Sequence, residues 1–240
     1  MARGYPDYQN PVNKVAGRLV DFSAIVVSQL GMSPLDGLGR LVWFDKFHGS
    51  LSAWYIVLPD ADDSAVICTD VSEVPPCCLR LTPSVTVVGG GPSVYHTQGF
   101  TIPSPSGLEV SMRVNAGHVR LYMEMALYYS GTVYYMQVYY LPVLRQFVLV
   151  SASPDTVLYT LPVAYSPGTW LTVKLVVDWI NKVGMHVLIG DLSFDISAYA
   201  PRTAATAFVD SLEINLGARG LSAAALPQYL GHVYLTMDEP

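Results

Sequence analysis

Charge is what this chain has least of. Only 13% of its 240 residues are Asp, Glu, Lys or Arg, about half the usual share. So little charge argues against disorder, and for a large core or surface buried against partners. The charge present sums to −6, the opposite of a nucleic-acid binder's basic footprint, so no nucleic-acid partner is expected. Long apolar runs are also missing. None reaches the roughly 18 residues a membrane span needs, so no membrane partner is expected. The opening MARGYPDYQNP has no apolar stretch of the secretory kind. The expectation is synthesis in the cytoplasm without a signal peptide.

Cysteine is scarce: Cys68, Cys77 and Cys78 are all there is. Their spacing matches no metal motif and favours buried free thiols in a reducing compartment. A single bridge from Cys68, to Cys77 or Cys78, is the lesser reading. The five histidines, His48, His96, His118, His186 and His232, are scattered. No metal and no cofactor is expected.

Alternation is what the chain has in abundance. In Thr169–Ser197, Leu171, Val173, Leu175, Val177 and Trp179 alternate with Trp170, Thr172, Lys174, Val176 and Asp178. A period of two is the strand period, so the first set shares one sheet face. Asn181 and Lys182 mark a reversal. Val183, Met185, Val187 and Ile189 follow, then the turn signal Gly190-Asp191, then Leu192, Phe194 and Ile196. This predicts a three-strand antiparallel meander, with Leu175, Val177, Val187 and Phe194 buried. Leu121 and Met123, on an earlier alternating run, should join them.

Similar runs fill the chain from Leu41 onward. LVWFDKF and LSAWYIVL predict two strands joined at His48-Gly49-Ser50. Asp60, Asp62 and Asp63 lack the spacing of a calcium loop and predict a solvated acidic loop. Gly89-Gly90-Gly91 is followed by Pro92 and no Lys, so it predicts a turn rather than a phosphate loop. No helical period or internal repeat follows residue 40. Many short strands between Gly, Pro and Ser turns predict an all-β, two-sheet antiparallel sandwich over residues 41–240.

Residues 1–40 read differently. Pro6, Pro11 and Pro34, with five glycines, break regular structure. Asp21 can cap a short helix carrying Phe22, Ile25, Val26 and Leu30 at helical spacing, ended by Gly31. A strand through Ala24–Val27 is the rival. An extended N-terminal arm with a short helix is expected, making subunit contact through Phe22, Ile25, Val26 and Leu30.

Trp170 leading a strand that ends at Asp178, a short hairpin, and a closing strand with Val233 and Leu235 together resemble the concanavalin A-like lectin/glucanase jelly roll. His232 and Gly231 stand where members often have an acidic residue. The whole chain, with its N-terminal arm, also resembles structural proteins of tailed-phage virions. The resemblance implies a jelly roll, and glucanases of that superfamily carry an ExDxxE carboxylate cluster on one strand. Glu124 is the only carboxylate in its strand, and Asp210 and Glu213 are three apart and face opposite ways. Asp191, Ser193 and Asp195 share a face that should be solvated. No hydrolase is expected on this count.

Tyrosine is the unusual excess. Tyr122, Tyr128, Tyr129, Tyr134, Tyr135, Tyr139 and Tyr140 are crowded together. Alternation sends Tyr134 and Tyr140 one way and Tyr135 and Tyr139 the other. Plain β-propensity explains such rings, but the surface they make, with Tyr128, also suits a protein interface or sugar stacking. The expected function is a non-enzymatic structural protein, an auxiliary or decoration component of a tailed-phage virion. Its partners would be itself, as a homo-oligomer, and virion proteins such as the major capsid protein. A carbohydrate-binding lectin-like module is the alternative.

Overall fold

A computed structural model describes residues 40–69, 71, 77–84, 89–99, 103–114, 119–162, 168–220 and 226–239. Sixteen strands and no helix occur among the described residues. The first eight are β1 (Arg40–Asp45), β2 (Tyr55–Val57), β3 (Ser64–Cys68), β4 (Cys78–Thr82), β5 (Ser93–Gln98), β6 (Ser106–Val114), β7 (Val119–Tyr129) and β8 (Thr132–Leu141). Then come β9 (Gln146–Val150), β10 (Thr156–Thr160), β11 (Thr169–Asp178), β12 (Val183–Ile189), β13 (Leu192–Asp195), β14 (Arg202–Ala205), β15 (Ser211–Gly220) and β16 (Gln228–Met237).

They form two antiparallel sheets. The first runs β13-β12-β11-β6-β16-β4-β3, with β1 also on β16. The second runs β10-β9-β8-β7-β15-β5-β2, with β14 also on β8. This is the two-sheet antiparallel sandwich expected from the alternation, and the jelly roll that the resemblance implies. The expected arm lies outside the described residues, together with its helix and Phe22, Ile25, Val26 and Leu30; Arg40 alone is described, opening β1.

The meander is β11 to β13. Leu171, Val173, Leu175, Val177 and Trp179 all enter the core between the sheets. Lys182 and Gly190 take positive φ at the two turns. One bulge interrupts the pattern. Val176 faces His186 but Val177 faces Gly184, so Met185 is passed over and Gly184 takes a close-packed place. A Cβ there would sit 2.6 Å from Ile196 Cδ1.

Several expectations are corrected. Phe194 is half-buried rather than core, because β13 is the sheet's edge strand. LVWFDKF and LSAWYIVL do not form a hairpin: β1 joins the first sheet and β2 the second. Asp63 is not solvated. It is buried, and its carboxylate accepts the backbone N–H of Ser84 at 2.6 Å and of Asp60 at 3.0 Å. The face of β11 turned away from the core is largely buried too. Lys174 is 0% exposed and pairs with Glu239 at 2.8 Å. Gly107 leaves the room: a Cβ there would lie 2.6 Å from Glu239 Oε1 and 2.8 Å from Lys174 Cε.

The three cysteines are not all free. Cys68 and Cys78 form a disulfide and Cys77 remains a thiol. Strand pairing is the cause, since β3 and β4 put Cys68 opposite Cys78. Closing a loop across ten residues of separation should contribute about 2–3 kcal/mol. Reduction is therefore expected to lower the melting temperature. A melt that is the same with and without dithiothreitol would show that the bridge contributes nothing.

Candidate functional site

The side of the second sheet turned away from the core carries the unusual chemistry. On β7, Leu121, Met123, Met125 and Leu127 point inward. Alternation therefore turns Arg120, Tyr122, Glu124, Ala126 and Tyr128 outward. Register aligns their neighbours into rows across the strands. One row reads Ser93, Gly217, Tyr122, Tyr139, Val148. The next reads Tyr55, Tyr95, Asn215, Glu124, Gln137, Val150. A third reads Thr97, Glu213, Ala126, Tyr135, Arg202.

Glu124 sits near the centre. The amide of Gln137 donates to Glu124 Oε2 at 3.3 Å and that of Asn215 to Oε1 at 3.5 Å. Burial pushes the carboxyl up to about 7, with the Glu213 charge adding to it; the Asn215 bond and the Arg219 charge act the other way. Glu213 is the diagonal neighbour, because Glu124 faces Asn215 and Ala126 faces Glu213. Diagonal residues on paired strands lie about 7–8 Å apart. Burial raises Glu213 as well, and Tyr128 donates its hydroxyl to Glu213 Oε1 at 3.4 Å. The Tyr128 hydroxyl is itself held up at about 12 by burial and by the two carboxylates.

Aromatic rings surround this pair. Tyr122 lies across Gly217, where a Cβ would come within 2.3 Å of its ring. Tyr122, Tyr139, Val148 and Val150 form a small apolar cluster of their own on this face. Tyr139 donates to Asp155 Oδ2 at 3.2 Å. The exposed Phe208 meets Tyr128 edge-on, with ring centroids 5.3 Å apart. Arg120 lies over the Tyr139 ring and Arg219 over the Tyr122 ring.

The tyrosines divide as alternation predicts. Tyr140 packs in the inter-sheet core and Tyr134 against it. Tyr128, Tyr135 and Tyr139 line the outward face. Phe22, Ile25, Val26 and Leu30, expected to join them in an interface, lie outside the described residues. Among the described residues no cluster of His, Cys, Asp and Glu could hold a metal ion. No helix of the described residues is long and apolar enough to cross a membrane.

The two β-sheets have the fold of a concanavalin A-like jelly roll. No protein-family model and no curated protein sequence matches it. Solved structures do. An endo-β-1,4-glucuronan lyase of the fungus Trichoderma reesei matches at TM-score 0.60 and 12% identity, over 82% of this chain and 96% of that one. The cellulose-induced protein Cip1 matches at 0.56 and 11%, over 81% and 97%. An endo-β-1,3-glucanase of Pyrococcus furiosus matches at 0.56 and 10%, over 88% and 99%. Two bacteriophage chains also match: a carbohydrate esterase of a Shiga toxin-encoding phage at 0.49, and the CBM2 module of a Lactobacillus casei phage Dit at 0.46.

The expectation that this is not an enzyme is corrected here. Structures that share its fold are a lyase and a glucanase. The search for carboxylates along one strand also missed a pair built across two. Glu124 on β7 and Glu213 on β15 are 89 residues apart in sequence and meet only through strand pairing.

Proposed function

We propose that this protein binds a polysaccharide on the outward face of its second sheet and hydrolyses glycosidic bonds there. Glu124 is the proton donor and Glu213 the ionised partner. The observation that supports this reading is the raised carboxyl of Glu124 beside a second carboxylate on a tyrosine-lined face. A carboxyl poised near 7 is protonated over much of the working range and can donate to a leaving glycosidic oxygen. Glu213, diagonal to Glu124 on the same face, holds a water against the sugar, as inverting hydrolysis needs. Glu213 takes a proton from that water, the water oxygen bonds to the anomeric carbon, and Glu124 protonates the departing oxygen. Tyr55, Tyr95 and Tyr135, on the same face and not buried, offer ring faces to the sugars.

The test uses the full chain with laminarin, lichenan, soluble cellulose derivatives and polyglucuronate. New reducing ends with inverted anomeric configuration are expected on at least one polymer. An unsaturated product with ultraviolet absorbance would mean elimination instead. No product from any polymer would sink the proposal.

A further inference from the structure

We propose that Arg219 and Arg120 make this face selective for an acidic polysaccharide, by pairing with carboxylate or sulfate groups on its sugars. The inference rests on the glycan-binding reading above and names the substrate class.

Register sets the two arginines directly opposite each other on β15 and β7. Like charges at directly opposed positions destabilise a strand pair. Two other arginines are neutralised: Arg40 pairs with Asp238 at 3.1 Å and Arg202 with Asp155 at 2.9 Å. Among the described residues, neither Arg120 nor Arg219 has a carboxylate within ion-pair distance. Arg120 Nε is buried with no hydrogen-bond partner among them. The opposed charges carry a cost, and an anion bound between them relieves it.

The guanidiniums are also braced for that task. Arg120 lies 4.6 Å from the Tyr139 ring centroid and Arg219 5.2 Å from that of Tyr122. Stacking on a ring fixes a guanidinium by its face and leaves its in-plane N–H donors free. Those donors match the paired oxygens of a carboxylate or sulfate. Tyr122 and Tyr139 are opposed on neighbouring strands, one row from the arginines and one from Glu124. A sugar seated over Glu124 turns one flank to Arg219, two rows away. The cleavage pair and the anion pair thus lie on one continuous surface, with the anion outside the bond that breaks.

The test measures binding of the full chain to polyglucuronate, dextran sulfate and neutral laminarin at low and moderate salt. The acidic polymers are expected to bind at least tenfold tighter than laminarin and to weaken as salt rises. Whichever of polyglucuronate and dextran sulfate binds more tightly identifies the anion. Arg219→Gln should cost tenfold or more on acidic polymers and leave laminarin unchanged, with Arg120→Gln acting in the same direction. Equal affinity for neutral and acidic polymers, or an indifferent Arg219→Gln, would overturn the proposal. Should either variant unfold, the acid-to-neutral ratio and salt dependence of the unmodified chain decide the matter. Cleavage restricted to laminarin would overturn this inference and leave the hydrolase reading standing. Tight, arginine-dependent binding without cleavage would do the reverse, and binding of no polymer would remove both.

Discussion

Glu124→Gln should lower glycan cleavage by about 10²–10⁴-fold, the usual contribution of a positioned proton donor. Binding should change little, because glutamine keeps the size of the side chain and can still bond Gln137 and Asn215. A variant that cleaves as well as the parent would rule Glu124 out as the acid. The pH profile carries the same signature. Glu124 must be protonated and its pKa is raised to about 7, so cleavage should fall as pH rises through 7. Glu213 must be ionised and is itself raised, so the acid limb should lie above the ordinary carboxylate range. Stability follows with a definite sign. The folded pKa of Glu124 lies above its unfolded value, so its contribution is complete below about 4.5 and is lost as pH rises through about 7. The loss is about 3 kcal/mol. Melting temperature should therefore fall between these values, and fall less in the glutamine variant.

The largest expected loss of stability comes from the opposite side of the molecule. Lys174→Met leaves the Glu239 carboxylate buried without its cation, since both side chains are 0% exposed. The Thr236 hydroxyl, placed between that carboxylate and the Gly107 carbonyl, cannot replace a charge. Breaking one side of a buried pair costs about 3–5 kcal/mol. In a domain of this size that is roughly 6–20 °C of melting temperature. The double variant Lys174→Met with Glu239→Gln should recover most of it, because no buried charge is left alone. A single variant that melts like the parent would show that the pair holds nothing.

How much of this was legible in the sequence depended on the range of the interaction. Alternation is local, so Leu171 to Trp179 announced a strand and its buried face without any knowledge of partners. The tyrosines of β8 sorted themselves by the same rule. Lys174 could not be read that way. Alternation put it opposite the core, where a lysine is ordinarily solvated, and only the neighbouring strands with Gly107 and Glu239 bury it. The carboxylate pair was hidden for a related reason. Its members belong to β7 and β15, and register is a property of pairing rather than of either strand. The Cys68–Cys78 bridge was hidden likewise. A signal was present in Gly217, an interior strand glycine of the kind that marks close approach by another group, and it marks the ring beside Glu124.

The position of β16 has a consequence for how the chain comes to be made. It is the last of the described strands in sequence, yet it lies inside the first sheet, with β6 on one side and β4 and β1 on the other. On a ribosome, β6 is finished at Val114 but its neighbour begins only at Gln228. At about 5–20 residues per second, the open edge of β6 waits on the order of ten seconds. Strand pairing across such separations is slow once it can begin. Through that interval β6, β4 and β1 present unpaired edges, which invite pairing with other chains. Nascent chains stalled before Gln228 should accordingly depend on chaperones far more than the finished protein does. Arrival of β16, rather than any earlier step, joins β6 to β4 and β1 in the first sheet.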